Sequence, residues 1–392
     1  MDSEKIIGKD MLKIICFLIF MYGCASSSRP PELDLAENVI TVSDSELNDK
    51  HRASDIFESV RLIPLETTDE SIIGEINKIV IIDTLIYIMD SKSKAIMLFN
   101  TKGQHLSKIA RKGEGPNEYS DLDDFTVMKN GDIIILDYRK ILHFKTDGMH
   151  YKTYNTEFHA DAIESINDSL FVCSGSREKD IIVWNRIENK IVNAFIDYDV
   201  KHSGRIFKPL IKYMNNVYYM RPYTSTMYRV SPEKLTVHWF VDFGKRNINE
   251  EIRLREDFYG IPVCLPSAAD MARFTETEHF VTFSFQVDEL MKDGYSYYVY
   301  YSKSSGKKII TIFDTYTDDM AFCNVPRIMD ATSSEEFIGI LHPEYYRDLV
   351  AKQDTAAMDN ATKTRWKYVR DKTRHLDDFD NPIVALYKFK EF

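Results

Sequence analysis

From residue 59 onward the chain keeps alternating short apolar or β-branched runs with polar turns. The clearest stretch runs from Ile76 to Tyr119. Ile76–Ile82, Leu85–Asp90, Ala95–Asn100 and His105–Ala110 are separated by Asp83-Thr84, Ser91–Lys94 and Thr101-Lys102-Gly103. Runs of this length, rich in β-branched residues and bounded by Gly, Asn, Asp and Ser, predict four antiparallel strands. Arg111–Tyr119 follows, with Gly113, Gly115 and Pro116, which exclude helix and central strand and predict a shaped loop. A lone four-stranded meander leaves both faces bare, so the pattern predicts neighbours of the same kind.

Those neighbours follow in order. Asp124–Met128, Ile133–Asp137, Ile141–Lys145 and His150–Asn155 repeat the first unit. In both units the second strand ends in Asp (Asp90, Asp137), and the last turn reads Thr-x-Gly (Thr101–Gly103, Thr146–Gly148). A third unit spans Ala160–Phe195, a fourth Phe207–Phe243 and a less regular fifth Phe274–Asp314. The sixth has Pro326–Ala331, Glu336–His342 and Ile383–Lys390, interrupted at about 343–380 by helical stretches near Tyr345–Lys352 and Ala361–Arg374.

That leaves the last unit one strand short, while Ser59–Leu65 is one strand spare at the N-terminal side. Pairing the two completes six sheets and closes a ring without exposed ends. The expected fold is therefore all-β: a six-bladed β-propeller of four-stranded antiparallel blades over 59–392, closed by the N-terminal strand. A β-sandwich, or two small β-domains, is the alternative.

The first residues read differently. Lys5, Lys9 and Lys13 precede the apolar run Ile14–Tyr22, then Gly23-Cys24. The run is too short to span a bilayer but suits the apolar part of an export signal. A small residue before cysteine resembles a bacterial lipobox, so 1–23 is expected to be a lipoprotein signal with Cys24 lipidated. An ordinary signal peptide, or an N-terminal strand with an incidental cysteine, is the other reading, and Met11 could be the true start. Residues 24–58 are polar, with Pro30-Pro31, and are expected to be a flexible tether.

Charge removes one partner class. The 392 residues carry a net charge of -11, with acidic residues spread along the chain, and nucleic acid binding needs a clustered basic surface instead. Beyond the leader and the lipidated Cys24, only Cys173, Cys264 and Cys323 remain, which make neither a disulfide framework nor a metal-binding pair. The sequence contains no GxSxG, HExxH, P-loop or GxGxxG pattern. Neither a cofactor nor a metal is expected. Asp121, Asp123 and Asp124 could supply oxygen ligands to calcium, but their spacing fits turn caps better. The run Tyr295–Tyr301 reads as packing between blades ahead of a sugar platform.

Ile63-Pro64-Leu65-Glu66-Thr67-Thr68, the loop Arg111–Tyr119 (RKGEGPNEY) and Asp380-Asn381-Pro382-Ile383 together resemble the six-bladed β-propeller lipoproteins of Bacteroides and relatives, loosely related to NHL-repeat propellers. The resemblance covers Ser59 to the end. It implies the propeller fold and a cell-envelope location, with lipid attachment to the outer membrane. It implies no common reaction, because propellers host binding and catalysis alike.

Propeller topology puts the loops after fourth strands and those between second and third strands at one end. That end gathers the candidate ligand-binding residues: Arg111, Lys112, Glu114, Asn117, Tyr119, Tyr138, Arg139, Arg177, Arg221 and Tyr223. Its cations suit an anionic or polar ligand, a glycan or a peptide, with the tyrosines as stacking surface; a protein partner is a further expectation. No catalytic residue is assigned. The expected function is a non-catalytic binding or scaffold propeller of the envelope; the alternative is a metal-dependent hydrolase, lactonase or lyase.

Overall fold

A computed structural model of the protein describes residues 31–47, 51–198, 208–248, 269–287, 295–312, 317–323, 327–332 and 334–392. The expected leader 1–23, Cys24 and the start of the expected tether lie outside the described residues, as do Cys264 and most of the loop expected at 287–294.

Two strands precede the first complete blade, β1 (Asn38–Thr41) and β2 (Phe57–Pro64). Blade one is then β3 (Ile76–Ile82), β4 (Leu85–Asp90), β5 (Ala95–Asn100) and β6 (His105–Ile109). Blade two is β7 (Asp124–Val127), β8 (Ile133–Asp137), β9 (Lys140–Phe144) and β10 (His150–Asn155). Blade three is β11 (Ala162–Ser165), β12 (Leu170–Ser174), β13 (Lys179–Asn185) and β14 (Lys190–Asp197). Blade four is β15 (Leu210–Tyr213), β16 (Asn216–Met220), β17 (Thr226–Val230) and β18 (Leu235–Asp242). Blade five is β19 (Ala269–Glu276), β20 (Phe280–Val287), β21 (Tyr295–Ser302) and β22 (Lys308–Ile312). Blade six holds β23 (Arg327–Ala331), β24 (Glu336–Leu341) and β25 (Ile383–Phe389), and β2 completes it.

The closure follows the strand count. β2 runs antiparallel to β25, with Leu62 opposite Ala385 and Pro64 opposite Ile383. Pro64 ends a strand on the outer edge, where its missing N–H costs no ladder bond. The first strands of successive blades meet around the axis, so each blade runs outward from its first strand.

The core lies between blades. Tyr87 and Met89 pack with Phe125, Ile133 and Phe144 of blade two, whereas Ile86 and Ile88 pack with Ile338, Ile340 and Val384 of blade six. Successive residues of one strand point to opposite faces. Both faces of β4 are therefore covered, which is why the run Leu85–Met89 is apolar at every position. Tyr300 meets Phe337 of blade six and Tyr301 meets Trp239 of blade four edge-on, so the aromatic run packs between blades.

Two departures concern the ends. The expected tether 24–58 is not a tether in its described part: β1 adds to blade four as a fifth strand, parallel to β18, with Asn38 opposite Trp239 and Thr41 opposite Asp242. Ile40 and Val42, at 1% and 5% exposure, drive this by entering the core beside Tyr218 and Trp239. Short helices α1 (Pro31–Leu35) and α2 (Ala53–Ile56) flank the strand.

The insertion in blade six holds α3 (Pro343–Ala351) and α4 (Asn360–Thr373). Pro343 opens α3, and the Asp359 carboxylate accepts from Thr362 N at 2.7 Å to cap α4. Tyr346, Val350 and Val369 are buried with Leu62 of β2, whose N–H donates to Tyr368 Oη at 3.2 Å. The insertion thus covers the outer edge of the sixth blade. Among the described residues no helix is long and apolar enough to cross a membrane.

Candidate functional site

Contacts between loops define the end of the ring where the candidate residues lie. Lys94, between second and third strands of blade one, meets Asp121 at 3.0 Å, in the loop entering blade two. Lys140, at the same turn of blade two, donates to Glu118 O at 2.8 Å. Asp90 and Asp137, the repeated aspartates, make these joints. Asp90 accepts from Gly74 N, Glu75 N, Lys92 N and Ser93 Oγ. Asp137 accepts from Ser120 N, Ser120 Oγ and Asp121 N. Each pins the incoming loop to the end of its blade's second strand. Asp123 accepts from Tyr138 N at 2.7 Å. Burial, with Asp121, Asp137 and Asp161 nearby, pushes its carboxyl up to about 6 despite that bond. Together with Asp121, which accepts from Leu122 N, these are turn caps.

The Gly-rich loop is folded around its own side chains. Gly115 N donates to the Glu118 carboxylate at 2.9 Å, and a Cβ on Gly113 would lie 2.0 Å from the same oxygen. Tyr119 is fully buried; its hydroxyl donates to Lys94 O at 2.8 Å and accepts from Arg111 N at 3.2 Å. Burial raises that phenol to about 12, against the opposing bond from Arg111. Tyr119 therefore cannot offer a stacking surface: it is the pillar that carries the loop, a correction to its expected role.

The remaining candidates divide. Lys94 and Lys140 are paired with Asp121 and Asp137, Lys179 with Asp197, and Arg221 with Asp180 at 3.5 Å. Arg221 is thereby tied within the structure, and Tyr223 is half-buried with a left-handed backbone, φ 55°. Glu114 and Asn117 are exposed at the loop tip. Arg111, Lys112, Arg139 and Arg177 are exposed, and among the described residues none has a carboxylate within 4.0 Å.

Between blades two and three these cations meet aromatic rings. Tyr138, 50% exposed and at φ 50°, stacks on His159 with centroids 5.2 Å apart and planes 20° apart. The Arg139 guanidinium lies 5.8 Å from the Tyr138 ring, and Arg177 N donates to His159 Nε2 at 3.2 Å. That bond needs the bare nitrogen of a neutral ring. Burial, then Arg177 and Arg139, hold His159 below its ordinary value. The result is a neutral imidazole stacked under Tyr138, with the Arg139 guanidinium on the tyrosine ring and the Arg177 backbone on the imidazole.

A second polar group, along the axis, was not assembled from the sequence. Lys78 of β3 donates to Asp124 Oδ1 at 2.8 Å and to Phe125 O at 2.6 Å, both on β7. Asp124 Oδ2 accepts from Ile163 N of β11 at 2.8 Å. Glu164 accepts from Thr126 Oγ1 and Ser165 N and lies 3.8 Å from Lys212 of β15. Lys208 pairs with Asp330 of blade six. Burial opposes charge on Lys78, but Asp124 and Glu164 outweigh it and hold its ammonium above the usual value. Burial likewise opposes charge on Glu164, and Lys78, Lys212 and Thr126 hold it below the carboxylate range. Each of these three carboxylates, Asp124, Glu164 and Asp330, is matched by a lysine, and the network joins blades one to four and blade six.

The elements define a closed six-bladed propeller whose first strands are joined by ion pairs and whose loop-bearing end exposes guanidinium groups, one of them, that of Arg139, on the Tyr138 ring. Residues 37–388 match a family model, Domain of unknown function (DUF4934), and the chain belongs to that family. Among solved structures, an exported protein of Bacteroides fragilis is similar at 16% identity, covering 90% of this chain and 100% of that one, with a TM-score of 0.72. A DUF4221 member from Bacteroides vulgatus is similar at 9% identity, covering 85% and 97%, with a TM-score of 0.51. At these identities the likeness concerns the fold. Comparison with curated proteins finds no match.

Proposed function

We propose that this chain is an envelope lipoprotein, lipidated at Cys24 and attached to the outer membrane, whose propeller binds an anionic ligand without catalysis. One observation carries the binding reading: Arg139 and Arg177 stay exposed and unpaired on an acidic protein, at the stacked rings of Tyr138 and His159, with Arg111 and Lys112 likewise exposed and unpaired in the Gly-rich loop. Guanidinium groups favour carboxylate, sulfate or phosphate, and an open tyrosine face suits a sugar ring. Acidic glycans and peptide carboxylates offer that chemistry. The Bacteroides fragilis relative is described as exported, which agrees with an envelope location.

The test is calorimetric titration with uronic-acid oligosaccharides and with short peptides bearing a free C-terminal carboxylate. A charge-assisted bond contributes about 1.5–3 kcal/mol, so Arg139→Ala or Arg177→Ala is expected to weaken binding by roughly tenfold or more. Bound anion near His159 is also expected to raise its pKa. Binding that ignores both arginines and added salt would refute this site. Cys24→Ser should move the protein from the membrane to the soluble fraction; a wild type already soluble would refute the anchor alone.

A further inference from the structure

We propose that the outer edge of the fourth blade is a docking surface for the chain's own N-terminal strand, locked by a doubly protonated His238 and loosened as pH rises. This goes beyond the ligand reading and does not depend on it.

The geometry is specific. His238 Nδ1 lies 2.9 Å from Glu37 Oε2, just before β1, and His238 Nε2 lies 3.1 Å from Glu276 Oε2 at the end of β19. A neutral imidazole has one N–H, so it could satisfy one of these carboxylates while turning a bare lone pair on the other. Only the imidazolium satisfies both. His238 thus joins three bodies: the N-terminal segment, blade four and blade five.

The surrounding groups support the charge. Arg229 of β17 pairs with Glu37, and Lys303, after β21, lies 2.6 Å from Glu276 Oε1. The Tyr218 ring of β16 stacks on the imidazole at 4.7 Å, with Trp239 edge-on to it at 5.9 Å. Burial works against protonation, but Glu276 and Glu37 outweigh it and hold His238 above its ordinary value. Burial opposes the Glu276 charge too, yet His238 and Lys303 keep that carboxylate below the usual range.

The lock sits at the start of the ladder, just after α1, which also lies against β18. Glu37 N donates to Val237 O at 3.0 Å, and Asn38 Nδ2 donates to His238 O at 3.1 Å, ahead of the β1 ladder. Beyond the ladder the segment is held by Asp44 on Arg246 and Lys245 and by Glu46 on Lys308. It rejoins the ring where Ser54 donates to Asp319. Opening from Glu37 would free a segment lying between the N-terminal residues and the ring.

The sign follows from linkage. Undocking takes away Glu37 and leaves Glu276, so the docked pKa lies above the undocked one; His238 stabilises docking fully below the undocked value, and the contribution is lost as pH rises through the docked value. Hydrogen exchange on the full chain tests this, following the Ile40–Val42 amides from pH 5.5 to 9 with intrinsic rates corrected. Wild-type protection should be flat at the acid end and then fall with rising pH, by up to tenfold per pH unit, until the docked value is passed. His238→Gln should give lower protection with no such fall, while the Phe283–Phe285 amides of blade five stay protected in both. Glu37→Gln, a change on the docked segment that spares the ring, should make the fall shallower. Flat protection in the wild type, an unchanged fall in His238→Gln, or, should that variant not fold, an unchanged fall in Glu37→Gln would overturn the proposal.

Discussion

Asp124→Asn tests how much of the ring's stability rests on its axis. The substitution keeps an oxygen that can accept from Ile163 N and removes the charge that holds Lys78 at 2.8 Å. Lys78 and Asp124 have side-chain exposures of 10% each, so the stranded ammonium has little water to turn to. Removing one partner of a buried pair costs about 3–5 kcal/mol, mostly as the penalty of the charge left behind. Spread over the unfolding entropy of one cooperative ring, that loss lowers the melting temperature by roughly 4–7 °C. Urea unfolding at neutral pH measures it directly, and calorimetry gives the temperature. The double variant Lys78→Met, Asp124→Asn removes both charges and should recover most of the loss, because a well-packed neutral pair can replace a buried ion pair at little cost. A single-variant loss below about 1 kcal/mol, or a double variant costing the sum of the two singles, would show that water or a neighbour already compensates Lys78.

Other outcomes follow from the same coordinates. Deleting Ile383–Phe392, or cutting the chain after Pro64 and removing β2, opens one and the same sheet, so each should destroy cooperative unfolding of the whole ring; wild-type melting after either cut would contradict closure. Gly113→Ala forces a methyl against the Glu118 carboxylate and should cost about 1–3 kcal/mol by overpacking; adding Glu118→Ala should relieve much of it, and no relief would place the strain elsewhere. Acid should weaken the axis through Glu164: its carboxyl is held low in the folded ring, so its contribution is present above about pH 4.3 and lost as pH falls through the folded value. Glu164→Gln should remove that part of the acid dependence, as read from unfolding free energy between pH 3 and 6.

The fold was legible because each strand carries its burial in its own letters. The run Leu85–Met89 is apolar throughout since its two faces meet two different blades. The spare strand at Ser59 gained meaning only from counting, which is a property of the whole ring. β1 escaped for the opposite reason. Four residues, Asn-Val-Ile-Thr, stand in a stretch of Asp, Glu, Ser and Asn, and composition over a long window hides so short an apolar anchor. Only Ile40 and Val42, two apart and so on one face of an extended chain, carried the signal. The axial lysines and carboxylates were invisible for a further reason. Lys78, Asp124, Glu164 and Lys212 occur singly in four strands, and no spacing along the chain records which first strands become neighbours.

The same distinction decides how motifs in this chain should be weighed. The most conspicuous pattern, Gly113 to Tyr119, turns inward: its glycines make room for Glu118, its tyrosine is a buried post, and the repeated aspartates on either side of it, Asp90 and Asp137, fasten loops to strand ends. Such residues are distinctive because backbone geometry leaves few alternatives, and in this chain they serve the fold. Arg139 and Arg177 belong to no pattern, yet both are left exposed and unpaired beside the stacked Tyr138 and His159. A binding face on a propeller can change at such positions without disturbing the ring, since neither side chain is buried and neither closes a turn. Ligand choice in this fold should therefore be sought in the unpatterned loop cations, and stability in the patterned loop that supports them.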